Sequence, residues 1–216
     1  MHTISPEILA IRTNYGKMAL DESAVDKNAI LQFRNWLQAA VHSQVIEPNA
    51  MCLSTIGPDG FPTGRIVLLR GVSEQGFAFF TNYNSHKGHE IEQHPKVSLT
   101  FFWPDLERQV RISGTIAKLP AKDSDEYFNS RPRQSQIGAW ASAQSEVIGD
   151  REELEVKEKE YEAQFEGKEV PRPEHWGGYQ VSPIKIEFWQ GRASRLHDRL
   201  QYTLEHGAWK MERLSP

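Results

Sequence analysis

Apolar residues recur at helical spacing early in the chain and then give way to short runs. Ile30, Phe33, Trp36, Leu37 and Ala40 fall on one side of a 3.6-residue turn, which predicts a helix over 24–42. From residue 50 onward the runs at 50–56, 65–69, 77–81, 97–103 and 109–119 predict strands, and so do 179–181, 184–189, 194–202 and 209–213. Gly57-Pro58-Asp59-Gly60 is a turn between the first two. Short helices are expected over 85–93, capped by Ser85 and ended before Pro95, and over 121–129 and 134–142 with a break at Arg131-Pro132. The charged stretch 152–165 reads as a solvated surface helix, and Pro171 and Pro173 mark a loop. Residues 1–22 lack periodicity and read as a mobile arm, with 23–216 as a single domain. Successive short strands joined by tight turns predict a mainly β, antiparallel barrel with peripheral helices.

Composition narrows the function classes. The formal net charge is -4, which argues against a general nucleic-acid binder; the basic clusters are local and suit a small phosphorylated ligand. The single cysteine, Cys52, excludes an intramolecular disulfide and a cysteine-rich zinc site. No run approaches the roughly 18 apolar residues of a membrane span, and residues 1–20 lack a signal-peptide core, so a cytoplasmic location and no membrane partner are expected. No phosphate-binding glycine loop of the GxxxxGK[ST] or GxGxxG type is present. His89 and His94 are five residues apart, roughly 140° around a helix, so the histidines near them are not expected to bind a metal.

The segment Arg195-Leu196-His197-Asp198-Arg199 carries the first chemical signal. On a strand, Arg195, His197 and Arg199 would share a face, and two fixed cations beside an imidazole call for an anion. Asp198 would point away, toward a surface cation, and Arg111 reads as a surface ion-pair residue. Tyr127, Arg131 and Ser135 form a second set. Pro132 disfavours helical angles at Arg131, so a turn there with a helix opening at Pro132 is expected. Ser135 would then lie in a first helical turn, whose free N–H groups favour a phosphate.

Together these blocks resemble the pyridoxine/pyridoxamine 5'-phosphate oxidase family. The resemblance rests on Arg65-Ile66-Val67-Leu68-Leu69-Arg70, Ser85-His86-Lys87-Gly88, Glu107-Arg108-Gln109-Val110 and the run from Ser130-Arg131-Pro132 to Trp140. Glu187-Phe188-Trp189-Gln190-Gly191, Arg195-Leu196-His197-Asp198-Arg199 and the ending from Trp209 extend it, in order, from about Arg12 onward.

The resemblance implies an FMN-binding split β-barrel and a homodimer with FMN at the subunit interface. It implies oxidation of pyridoxine 5'-phosphate or pyridoxamine 5'-phosphate to pyridoxal 5'-phosphate, with O2 reduced to H2O2. Carried over by motif, FMN would meet Arg65, Ile66, Val67, Leu68, Leu69, Arg70, Phe80, Thr81, His86, Lys87, Gln109, Gln144, Ser145, Trp189 and Arg199. The substrate phosphate would meet Arg70, Tyr127, Arg131 and Ser135. Arg195 and His197 would face the pyridine ring as the catalytic pair, with Arg12 and Tyr15 on an N-terminal segment able to cover the substrate. The rival expectations are another split-barrel flavin reductase, or a non-enzymatic protein binding FMN or pyridoxal phosphate.

Two positions depart from the common family pattern: Arg70 stands where lysine is usual, and His86 where arginine is usual. If His86 contacts the FMN phosphate, affinity should fall as pH rises through the histidine range. Arg65 and Arg70 also differ by an odd number, so a bulge or the strand's end must re-aim Arg70 if both serve one site.

Overall fold

The computed structural model describes residues 14–216. The described residues divide into two compact units, one made of 14–48, 101–111 and 185–216, the other of 49–100 and 112–184. The elements in chain order begin with α1 (Ala29–His42), β1 (Ala50–Ile56), β2 (Pro62–Leu68), β3 (Gly71–Ser73), β4 (Gly76–Asn82) and α2 (His86–Gln93). Then come β5 (Lys96–Trp103), β6 (Arg108–Lys118), α3 (Ala121–Asn129), α4 (Arg133–Ala141) and α5 (Arg151–Gln164). β7 (Trp176–Gln190), β8 (Asp198–Glu205) and β9 (Ala208–Leu214) end the chain. Strand neighbours run β2-β1-β5-β6-β7-β4-β3, with β8 on β7 and β9 on β8.

In the second unit, β1 and β2 pair antiparallel from Ala50↔Leu68 to Ile56↔Pro62. The predicted turn joins them: the Gly57 N–H donates to the Phe61 carbonyl at 2.8 Å, and Gly60 takes φ 82°, open to glycine at little cost. β4 pairs antiparallel with β7, Phe77↔Val181 to Asn82↔Trp176, and the short β3, not expected from the sequence, edges β4. A satellite core of Phe128, Ile137, Phe165, Val170 and Trp176 holds α3 and α4 to that sheet. None of α5 is buried, as its charge pattern predicts.

In the first unit, α1 starts at Ala29, later than expected. Asn28 takes the cap, its side chain accepting from the Ile30 and Leu31 N–H groups, while Asp26 in turn caps Asn28. The helix buries Ile30, Phe33 and Trp36. Phe33 meets Phe101 at 5.0 Å, Trp36 meets Phe188 at 5.2 Å, and Phe188 meets Tyr202 at 5.4 Å. The described part of the expected N-terminal arm is tied down here: the Leu20 N–H donates to Asp198 at 3.0 Å, and Arg213 pairs with Glu22 at 2.6 Å.

Two expectations are corrected. β7 is one 15-residue strand where the sequence predicts two. Pro183 is tolerated because pairing with β4 ends at Val181 and pairing with β8 starts at Lys185, so on that edge its missing N–H breaks no rung. The expected strand over 194–202 begins only at Asp198. Ala193–Arg195 is a single 3-10 turn, with Ser194 and Arg195 at φ 58° and 62°. Arg195, His197 and Arg199 therefore do not share a strand face.

Among the described residues no helix is long and apolar enough to cross a membrane.

Candidate active site

A cavity of about 530 Å³ opens in the second unit. Arg70, Lys87 and Arg131 line it, with no Asp or Glu among the lining residues. Each cation arrives from a different element. β2 stops at Leu68, and Arg70 lies past its end with its N–H on the Ala78 carbonyl at 2.8 Å; this strand end re-aims it, and its guanidinium sits 5.9 Å from the Tyr127 ring.

Lys87 lies in the first turn of α2, behind the Ser85 cap. Its ammonium is buried and donates to Thr81 Oγ1 at 3.0 Å, Ser85 Oγ at 3.0 Å and Gln144 Oε1 at 2.8 Å. All three acceptors are neutral. Burial, and then the charge of Arg65, push the lysine down to about 8, with Glu90 opposing.

Arg131 sits in the link between α3 and α4. Pro132 serves as the cap of α4, which opens at Arg133, between the two expected starts at 132 and 134. The guanidinium lies 4.4 Å from the Trp176 ring, and its Nη1 is buried with no hydrogen-bond partner among the described residues. Burial holds it below its ordinary value, Tyr127 opposing and Arg70 reinforcing. Tyr127 and Ser135, on separate helices, reach the same cavity. Phe80, Tyr127 and Trp176 stack along one wall, Phe80 and Tyr127 at 3.9 Å. A buried ammonium on Lys87 and an orphaned buried donor on Arg131, with no carboxylate beside them, are costly unless an anion joins them, and the exposed Arg70 adds a third positive charge. Phosphate geometry suits that donor set.

Of the residues implied for FMN, Ile66, Val67, Leu68, Arg70, Phe80, Thr81, Lys87 and Gln144 line this cavity. Arg65, Leu69, His86 and Ser145 do not. Arg65 donates to Thr55, Thr63 and Glu90, the last at 3.0 Å. Leu69 is buried, and its N–H donates to the Asn49 carbonyl at 2.8 Å. His86 is exposed on α2, next to Lys87. Ser145 is exposed at φ 77°. Sequence reasoning missed Asn82, Ser142 and Trp176. The first two lie next to, or two residues from, Thr81 and Gln144. Trp176 gave no signal, because the sequence does not show that β7 begins there.

The remaining implied residues belong to the first unit. Gln109 is half-buried on β6. Trp189 and His197 meet at 4.6 Å, and Tyr15 lies edge-on to both at 5.7 Å. The Arg192 N–H donates to His197 Nδ1 at 3.1 Å, so a neutral ring carries its proton on Nε2. Arg195 is exposed. Arg199 binds Glu187 through Nε at 3.0 Å, and Arg111 binds the same carboxylate, so the anion that Arg199 called for is already present. Burial alone would raise Glu187, but Arg199 and Arg111 hold it below the usual carboxylate range. Asp198 pairs with Arg192 and Arg213. Arg12 lies outside the described residues.

Known proteins show the same architecture. PhzG from Burkholderia lata 383, solved in complex with tetrahydrophenazine-1-carboxylic acid, matches with a TM-score of 0.87 at 29% identity, over 94% of this chain and 100% of that one. A pyridoxamine 5'-phosphate oxidase-related, FMN binding protein from Nostoc punctiforme PCC 73102 matches with a TM-score of 0.69 at 16% identity, over 92% of this chain and 100% of that one. The fold is thus that of the split β-barrel proteins, mainly antiparallel strand with peripheral helices.

A family model described as Pyridoxamine 5'-phosphate oxidase matches residues 37–165, and one described as Pyridoxine 5'-phosphate oxidase C-terminal dimerisation region matches 176–216. Proteins named pyridoxine/pyridoxamine 5'-phosphate oxidase from Nostoc punctiforme and Paraburkholderia xenovorans are 53% and 54% identical, each over 95% of this chain and 97% of its own length. The chain belongs to the pyridoxine/pyridoxamine 5'-phosphate oxidase family.

Proposed function

We propose that this protein is an FMN-dependent oxidase converting pyridoxine 5'-phosphate and pyridoxamine 5'-phosphate to pyridoxal 5'-phosphate. The alcohol and O2 give the aldehyde and H2O2; the amine also takes up water and releases ammonia. The observation that carries this reading is the cavity with Arg70, Lys87 and Arg131 on its walls, no carboxylate, and an orphaned donor on Arg131.

Lys87, Thr81 and Gln144 form a ready set of polar groups for the FMN phosphate. Arg70, Tyr127, Arg131 and Ser135 form a second set for the substrate phosphate, with the first-turn N–H groups of α4 adding their dipole. When bound, FMN supplies the two-electron acceptor that O2 later reoxidises. The stacked Phe80, Tyr127 and Trp176 give the cavity an apolar wall that excludes water. Arg195 and His197 are assigned to the pyridine end. With Nδ1 engaged by Arg192, His197 presents an Nε2–H, which suits it to hold a substrate oxygen by donation rather than to act as a base.

Oxygen uptake by the FMN-loaded protein tests the reading. Both phosphorylated substrates should drive uptake and peroxide formation without a nicotinamide. Uptake only with a nicotinamide would favour a flavin reductase, and none under either condition a binding protein; both results would reject the proposal.

A further inference from the structure

Glu107 occupies an unusual position. It is buried, and its backbone takes φ 53°, a region costly for a residue with a Cβ. Its carbonyl accepts from the Gly191 N–H at 2.7 Å and from the Gln190 side-chain amide at 3.2 Å, which fixes it to the end of β7. Its carboxylate faces the other way: one oxygen accepts both the Gly16 N–H at 2.8 Å and the Lys17 N–H at 3.0 Å. Two successive backbone N–H groups on one oxygen form a small anion nest, with the anion supplied by the protein itself. Lys17 adds a bond from its ammonium to the Asp105 carbonyl at 2.6 Å.

Gly191 provides a second, independent observation. A Cβ there would stand 2.7 Å from Tyr15 Cγ, 2.9 Å from Tyr15 Cβ and 3.0 Å from Glu107 Cβ. The absent side chain is the space in which Tyr15 lies, against Trp189 and His197. Glu107 thus holds the strap from below while Gly191 leaves it room.

We propose that Glu107 is a latch that seats Tyr15 against His197 and Trp189, and so a positioning residue for the substrate. The latch stands on the geometry alone; its effect on the substrate rests on the function proposed for His197. The other candidates on Glu107 are filled: Arg108 beside it is turned onto Trp36 at 4.3 Å and onto Gln190 at 2.9 Å.

The test uses the full FMN-loaded chain, wild type and E107Q, and two readouts. The first is hydrogen exchange of the Gly16 and Lys17 amides, measured without substrate. E107Q should exchange them at least about tenfold faster, because a charge-assisted acceptor is lost. The second is steady-state oxidation, with pyridoxal 5'-phosphate affinity measured alongside. KM should rise about tenfold and the affinity should fall in parallel, with kcat within about twofold. Unchanged exchange would overturn the latch. Faster exchange with unchanged KM and affinity would overturn the positioning role. If the wild type oxidises neither substrate, the proposed function falls, while exchange and affinity still decide the latch. If E107Q does not fold, Glu107→Asp, which keeps the charge but draws the carboxylate back from the two N–H groups, decides by the same readouts.

Discussion

Lys87 is a cation buried among neutral oxygens, held near 8 by burial first and by Arg65 second. An anion in the cavity favours the ammonium, so FMN affinity is full below about pH 8 and falls by up to tenfold per unit above it, until the bound form also loses its proton. Without ligand the sign reverses. The unfolded chain keeps this proton to its ordinary 10.5, so it binds more protons than the fold between about 8 and 10.5, and stability rises across that window. Lys87→Met should weaken FMN about ten- to a hundredfold at neutral pH, the loss of one charged hydrogen bond, and flatten the pH profile. A wild-type dissociation constant unchanged between about pH 7 and about pH 9.5 would reject this role. The identity of such a residue was readable in Ser85-His86-Lys87, but its environment was not. Arg65 and Arg199 read equally well as anion ligands; their carboxylates, Glu90 and Glu187, are 25 and 12 residues away in sequence and met only through folding.

The helix α2 shows how an element aims a side chain. Ser85 caps it, with Oγ accepting from the Gly88 N–H, and that capping was legible because serine before a short amphipathic run is a local signal. Its seating against the preceding loop was not legible. A Cβ on Gly88 would stand 1.8 Å from the Tyr83 carbonyl oxygen and 2.5 Å from the carbonyl carbon, both backbone atoms that cannot swing aside. Gly88→Ala should cost about 3 kcal/mol and lower Tm by about 6–12 °C. A thermal scan shifted by less than about 2 °C would show that α2 can lift away without loss. The segment 193–197 failed for the opposite reason. Alternating cations imitated a strand, and nothing local announced that Ser194 and Arg195, neither of them glycine, adopt left-handed angles. Only the return of the chain from Gly191 to Asp198 requires that turn.

Strand periodicity located most of the sheet but not its pairings. β7 changes partner along its length, from β4 to β8, and Pro183 at the changeover made one strand look like two. Assembly beyond the single chain is argued from the match of 176–216 to a dimerisation region. Light scattering of the FMN-loaded protein should give two chains per particle, and a single chain at micromolar concentration would contradict the homodimer. The discontinuous unit of 14–48, 101–111 and 185–216 also bears on synthesis. Trp36 emerges from the ribosome far ahead of Phe188, the ring it meets at 5.2 Å. About 150 residues separate them, on the order of ten seconds of elongation, during which the apolar face of α1 has no partner from β7. The growing chain, more than the finished enzyme, is where this protein is exposed to aggregation, and where a chaperone would find its grip.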